Sequence, residues 1–277
     1  MQIDFTKMHG LGNDFIVLES DVAAAQLSPQ QWQQLSDRHR GIGFDQALII
    51  ERPRRSGTEA FYRIFNADGH EVEQCGNGAR CIAELLRLQG RSHDGQVRMD
   101  CAGGLVEARV PGGGIVAVDM GVPDFTPAAS HFDAQGQGGP TYVLDVDGQT
   151  VQCGVVSMGN PHAVLRVADI SAAPVAQLGP PLERHPRFAK RVNVGFMQVL
   201  SADHIRLRVY ERGVGETQAC GTGACGAVAV GRRDGLLADS VRVSLPGGDL
   251  TVRWAGPGHA LWMEGPAEVS FRGRIDL

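Results

Sequence analysis

RIFNADGHEVEQCGNGARC (residues 63–81) and RVYERGVGETQACGTGACG (residues 208–226) decide the fold. The second restates the first at an offset of 145, from Arg63 to Arg208 and from Cys75 to Cys220, without a gap. Glu71 meets Glu216, and Gly76 and Gly78 meet Gly221 and Gly223. Downstream, VRMDCAGGLVEARV from Val97 pairs with VRVSLPGGDLTVRW from Val241 at an offset of 144. Looser echoes lie elsewhere: GNDF at Gly12 against GNPH at Gly159, and GFDQ at Gly43 against GFMQ at Gly195. A period this long excludes a solenoid and predicts two similar halves folding as a pseudo-symmetric pair.

Each repeat opens with a β-rich run (AFYRIFN; HIRLRVYE), passes a polar turn and reaches Cys-Gly-x-Gly, after which a helix is expected. In the first half Ile82, Leu85 and Leu86 form an apolar stripe, with Gly90 as the stop. In the second half the small residues of GACGAVAVG predict a helix packed from all sides, ended by Gly235. Alternating strands around a Gly-Gly turn follow in both. The fold class is therefore α/β in the α+β sense. Each domain is expected to be a mixed, largely antiparallel sheet or barrel wrapped around a central helix. The boundary is placed near Gly121-Val122-Pro123, giving residues 1–120 plus 266–277 as the half carrying Cys75 and residues 121–265 as the half carrying Cys220.

The repeat sets each of these two cysteines just before a helix N-terminus, where unpaired N–H groups and the helix dipole favour negative charge. A thiol so placed is expected to have a lowered pKa. The glycines after it let a carboxylate approach the backbone closely. Two such loops facing one another would put a sulfur on each side of an α-carbon, an arrangement suited to removing a proton from one face and returning one to the other. Cys81, Cys101, Cys153 and Cys225 lie in apolar or strand-like contexts and read as buried thiols. GTGACG at 221–226 satisfies the dinucleotide pattern G-x-G-x-x-G, but the polar GETQA before it is no strand, so nucleotide binding is not expected.

The 277 residues can bury a sizeable core, and a net charge of −5 without like-charge blocks gives no electrostatic support to nucleic-acid or membrane-surface partners. Asp4 and Lys7 interrupt any apolar signal core, and no apolar run approaches a bilayer span, so a cytoplasmic protein is expected. The six cysteines lack zinc-ligand spacing, and no metal is expected.

KMHGLGNDF, GIGFDQ, RIFNADG, EQCGNGARC, VSMGNPH, RVNVGF, YERGVGETQACGTGAC and LPGG, running from Lys7 to Gly248, together resemble diaminopimelate epimerase. The resemblance implies cofactor-free conversion of LL-diaminopimelate to the meso form, a step in lysine and peptidoglycan precursor synthesis, by two domains with a cleft between them. It implies Cys220 as proton acceptor and Cys75 as proton donor in that direction, with His162 and Glu211 tuning the pair. It implies substrate contacts from Asn13, Gln46, Asn66, Gly76, Asn77, Asn160, Asn193, Glu211, Arg212, Gly221 and Thr222. Arg212 suits the second carboxylate of the substrate, and Glu211 with the carboxamides suits its ammonium. A homodimer is implied too, with Phe271 standing where the family often has Tyr at a dimer-associated position. The residues alone leave other readings: a proline or hydroxyproline racemase, a thiol redox sensor, or a carboxylate-binding protein.

Overall fold

A computed structural model describes residues 2–19, 27–72 and 75–276. The chain divides into two compact units, Met1–Asp119 with Glu264–Leu277 (unit 1) and Met120–Met263 (unit 2). Among the described residues there are four α-helices: α1 (Pro29–Ser36), α2 (Gly76–Leu88), α3 (Val175–Glu183) and α4 (Gly221–Arg233). None is long and apolar enough to cross a membrane.

The duplication is written into the strand pairing. In unit 1 an antiparallel pair (Gln2–Gly10 with Asn13–Glu19) is followed by a parallel step to Gln46–Glu51 and an antiparallel step to Ala60–Asn66. That strand pairs antiparallel with Glu71–Val72 and parallel with Gln96–Cys101, which turns into Gly104–Gly112. Unit 2 repeats the same sequence of steps through Gln149–Ser157, Pro161–Arg166, Asn193–Ser201, His204–Glu211, Gly215–Thr217, Ser240–Leu245 and Gly248–Trp254. The registers keep the sequence offset: Ile64↔Val72 and Phe65↔Glu71 become Val209↔Thr217 and Tyr210↔Glu216. Both Gly-Gly turns form hairpins, pairing Cys101 with Gly104 and Leu245 with Gly248.

Within each unit the strands enclose a central helix. Every residue of α2 from Gly76 to Leu86 is buried, including Arg80 and Glu84, so the expected apolar stripe is instead a helix covered all round. Glu84 is tolerated there because Arg87 grips it through two bonds of 2.7 Å. Helix α4 is buried from Gly223 to Gly231 because its small residues let neighbours approach. A Cβ on Gly231 would fall 2.5 Å from Leu237, and one on Gly226 would fall 3.3 Å from His162.

Helices α1 and α3 pack outside the strands. Helix α1 has a capping box, Ser28 and Gln31 satisfying each other's backbone N–H groups. It inserts Trp32 against Phe65 (stacked, 5.4 Å) and Phe44 (edge-on, 6.4 Å). Helix α3 approaches the strand His204–Glu211 at Gly179, where a Cβ would meet the Tyr210 ring at 2.7 Å. The core of unit 2 gathers Phe132, Tyr142, Phe188 and Phe196 with the valines and leucines of its strands.

Candidate active site

Cys75 is the N-cap of α2, and its Sγ accepts the Gly78 N–H at 3.5 Å. Ala79 N–H makes the first intrahelical bond, to Cys75 O, so Gly76 and Asn77 carry the N–H groups that precede it. Buried Asn77 donates its Nδ2 to Asn13 Oδ1 at 3.1 Å, and Asn13 donates to Asp45 at 2.9 Å. Asp45 is held by Arg38, which also forks onto Asp14 with two 2.8 Å bonds, while Lys7 bonds Asp14 at 2.5 Å. Burial alone would raise the Asp14 pKa, but the Arg38 and Lys7 cations outweigh it and hold the carboxyl at about 2. Gln46 donates to Asn66 at 2.9 Å across an antiparallel pair. The candidates of unit 1 thus fall into two hydrogen-bonded pairs, Asn13 with Asn77 beside Cys75, and Gln46 with Asn66.

Cys220 is likewise the N-cap of α4, with Ala224 N–H bonded to its carbonyl, and Gly221 and Thr222 preceding that bond. Its surroundings differ. The thiol is buried, 4% exposed. Thr222 Oγ1 lies 3.8 Å from Sγ. Asn160 Nδ2 donates to Thr222 Oγ1 at 3.3 Å, and His162 Nε2 lies 2.9 Å from Asn160 Oδ1. With Nδ2 donating to Thr222, Asn160 Oδ1 is an acceptor, so His162 donates through Nε2 and Thr222 is left to turn its proton toward sulfur. Glu211 hydrogen-bonds the thiol and is itself held by Thr217 Oγ1 at 2.5 Å. Asn193 joins the group through its register with His162, accepting Arg212 N–H at 2.9 Å and donating to Pro161 O at 3.3 Å. Arg212 is exposed and gives one guanidinium N–H to Lys190 O at 3.1 Å. The candidates of unit 2 thus form two adjacent sets, Cys220 with Thr222, Asn160, His162 and Glu211, and Asn193 with Arg212.

One electrostatic expectation is corrected here. The Cys220 thiol is pushed well above its ordinary pKa, first by burial and next by the Glu211 carboxylate, against weaker opposition from Gly223 N–H and Thr222. Placement at a helix N-terminus does not lower it because water is gone and an anion stands beside it. His162 is pushed down to about 3 by burial and by the Arg212 cation, so it is neutral at physiological pH. It therefore acts as an oriented donor, one step removed from Thr222, and brings no charge to a sulfur. Cys81 and Cys153, by contrast, meet the expectation of buried thiols, raised by burial to about 12.

Lys7, Asp14, Arg38, Asp45 and Thr217 support the site without having been singled out in the sequence. Lys7, Asp14, Asp45 and Thr217 stand inside the quoted motifs KMHGLGNDF, GIGFDQ and YERGVGETQACGTGAC, so the signal was present for those four; Arg38 carried none. Among the described residues no group of three or more His, Cys, Asp and Glu could hold a metal ion.

A phenazine biosynthesis protein of the PhzF family from Bacillus anthracis is 12% identical, with full coverage of both chains and a TM-score of 0.68. A probable proline racemase from Agrobacterium radiobacter is 15% identical over 99% of this chain and 93% of that one, with a TM-score of 0.71. A predicted epimerase from Pseudomonas aeruginosa is 19% identical over 99% of each chain, with a TM-score of 0.68. At these identities the likeness is one of fold. The family model of diaminopimelate epimerase matches residues 5–126 and 154–270, which take in both cysteine loops and every candidate residue named above. With its internal repeat, its paired helix-capping cysteines and that match over most of its length, the chain belongs to the diaminopimelate epimerase family and is an isomerase of the epimerase type.

Proposed function

We propose that the protein interconverts LL- and meso-diaminopimelate with Cys75 and Cys220 as its two acid–base groups and no cofactor. In the LL-to-meso direction Cys220 must first become a thiolate, and Glu211, hydrogen-bonded to it, is the group placed to take its proton. The thiolate then removes the α-hydrogen, and the Cys75 thiol gives its proton to the opposite face of the carbon. Negative charge built up on the substrate carboxylate is met by the N–H groups at the starts of α2 and α4 (Gly76-Asn77 and Gly221-Thr222) and by their helix dipoles. In reverse the two sulfurs exchange roles.

One observation carries the reading: Glu211, the carboxylate beside Cys220, is followed directly by Arg212, an exposed cation whose backbone N–H is held by Asn193. A simple α-carbon racemisation does not call for that cation, whereas a substrate with a second carboxylate does, and a guanidinium fork matches a carboxylate. The probable proline racemase of like fold suggests the rival substrate, proline, which has no second amino-acid end.

Reduced protein in heavy water, given LL-diaminopimelate, meso-diaminopimelate or proline, separates these. Deuterium is expected at the inverted carbon of either diaminopimelate isomer and none in proline. Label in proline alone transfers the assignment to a proline racemase. Inversion of diaminopimelate without solvent label removes the two-thiol mechanism.

A further inference from the structure

Glu183 ends helix α3 and is only 1% exposed, although a carboxylate in the last turn faces the negative end of the helix dipole and loses its water on burial. Three donors compensate. Gly213 N–H bonds Oε1 at 3.0 Å, Arg191 Nη1 reaches the same oxygen at 3.4 Å, and Arg184 Nε reaches Oε2 at 3.2 Å. The Glu183 carbonyl also accepts Val192 N–H at 3.1 Å. Arg191, with a φ of +58°, holds a left-handed conformation between these two anchors.

Gly213 directly follows Arg212 and turns the chain with a φ of +76°. Arg212 N–H goes to Asn193 Oδ1 at 2.9 Å, and its guanidinium gives one N–H to Lys190 O at 3.1 Å. Both backbone donors of Arg212-Gly213 and one guanidinium donor thus end on a single run, residues 183–193. Glu183 supplies the one charged acceptor in that run, and it lies outside every motif that the substrate contacts come from.

We infer that Glu183 is a positioning residue for Arg212. By holding Gly213 N–H it fixes the turn from which Arg212 reaches, and so sets how far from Cys220 the second carboxylate of a substrate must lie. This rests on Arg212 as the partner of that carboxylate.

Glu183→Ala is expected to raise KM for diaminopimelate about tenfold while changing kcat less than about threefold, since a misplaced binding group costs ground-state and transition-state binding alike. Glu183→Gln keeps an oxygen acceptor for Gly213 and is expected to stay within about threefold of wild type. In an Arg212→Ala background Glu183→Ala is expected to add nothing further, because it acts through that side chain. Amide exchange at Gly213 is expected to quicken in Glu183→Ala and not in Glu183→Gln, a readout that needs no substrate. If Glu183→Ala does not fold, Glu183→Asp, which withdraws the carboxylate by one methylene, is expected to show the same changes at smaller size. Unchanged Gly213 exchange in a folded Glu183→Ala or Glu183→Asp protein overturns the inference, as does an effect on KM that persists in full without Arg212. Failure of the substrate reading looks different: Arg212→Ala alone then leaves KM unmoved.

Discussion

Unit 1 holds Cys75 half-buried at the start of α2, while unit 2 holds Cys220 at the same point of α4 sealed from water and beside a carboxylate. The repeat lets the two be compared position by position. Asn66 matches Glu211 and Asn77 matches Thr222 at the offset of 145; Asn13 matches Asn160 and Phe15 matches His162 through the GNDF and GNPH echo. Strand register sets Gln46 against Asn193, since Phe15 lies opposite Gln46 and His162 opposite Asn193, and so overturns the GFDQ–GFMQ echo, which would have matched Gln46 to Gln198. The contact between the loop asparagine and the helix survives in both units but reverses its direction. Asn77 donates to Asn13 in unit 1, whereas Asn160 donates to Thr222 in unit 2. Backbone duplication thus fixes where each sulfur sits, and in unit 2 burial together with a divergent carboxylate raises the thiol pKa. The carboxylate beside Cys220 occurs where unit 1 has a neutral amide, and the histidine occurs where unit 1 has a phenyl ring.

Alanine at either cysteine tests whether the unlike halves share one reaction. Cys75→Ala and Cys220→Ala are each expected to cut inversion of the α-carbon by about 10²- to 10⁴-fold, the worth of one acid–base group, with secondary structure intact by circular dichroism. Near-normal inversion in one of them would leave the chemistry to a single unit and break the comparison at its root.

Glu211→Asn gives unit 2 the residue of unit 1. The carboxylate raises the Cys220 pKa, so its removal is expected to let the thiolate appear at lower pH, read from ultraviolet thiolate absorbance in a Cys75→Ala background. Epimerisation in the otherwise unaltered protein is expected to fall by about tenfold or more, because the proton acceptor is lost. A thiolate titration unmoved by this change would leave burial as the whole cause.

The smallest effect concerns acid stability. His162 binds its proton in the unfolded chain near pH 6.5 but in the folded one only near pH 3, so its contribution is complete above pH 6.5 and is lost as pH falls toward 3. The slope approaches about 1.4 kcal/mol per pH unit within that window. Asp14 in unit 1 is depressed from 3.8 to about 2, so its contribution is lost only between those values. His162→Phe, again the unit 1 residue, is expected to flatten denaturation free energy against pH between 6.5 and 4 while leaving the loss below pH 3.8. An unaltered slope would show that another group governs unit 2 in acid.

Much of this was legible because it is local or repeated. The offset of 145 survives as strand register, the Gly-Gly pairs as hairpins, and Cys-Gly-x-Gly as a capped helix start. What was illegible depends on tertiary burial. A helix N-terminus speaks for a lowered thiol pKa until the surrounding strands remove the water from Cys220. Glu183 stands in LERHPRFAK, which reads as a solvated charged run, and only packing places it inside. Arg80 is similar: nothing in GNGARC announces a guanidinium without exposed surface whose Nε reaches the Pro266 carbonyl.

That bond belongs to a larger arrangement, in which the strand Glu268–Asp276 lies along Gln2–Gly10. Unit 1 therefore takes a strand from residues that leave the ribosome after the whole of unit 2, which is drawn from one continuous run. During synthesis the nascent chain can finish its second half while the first still waits for its closing strand, so the part made first is the part completed last.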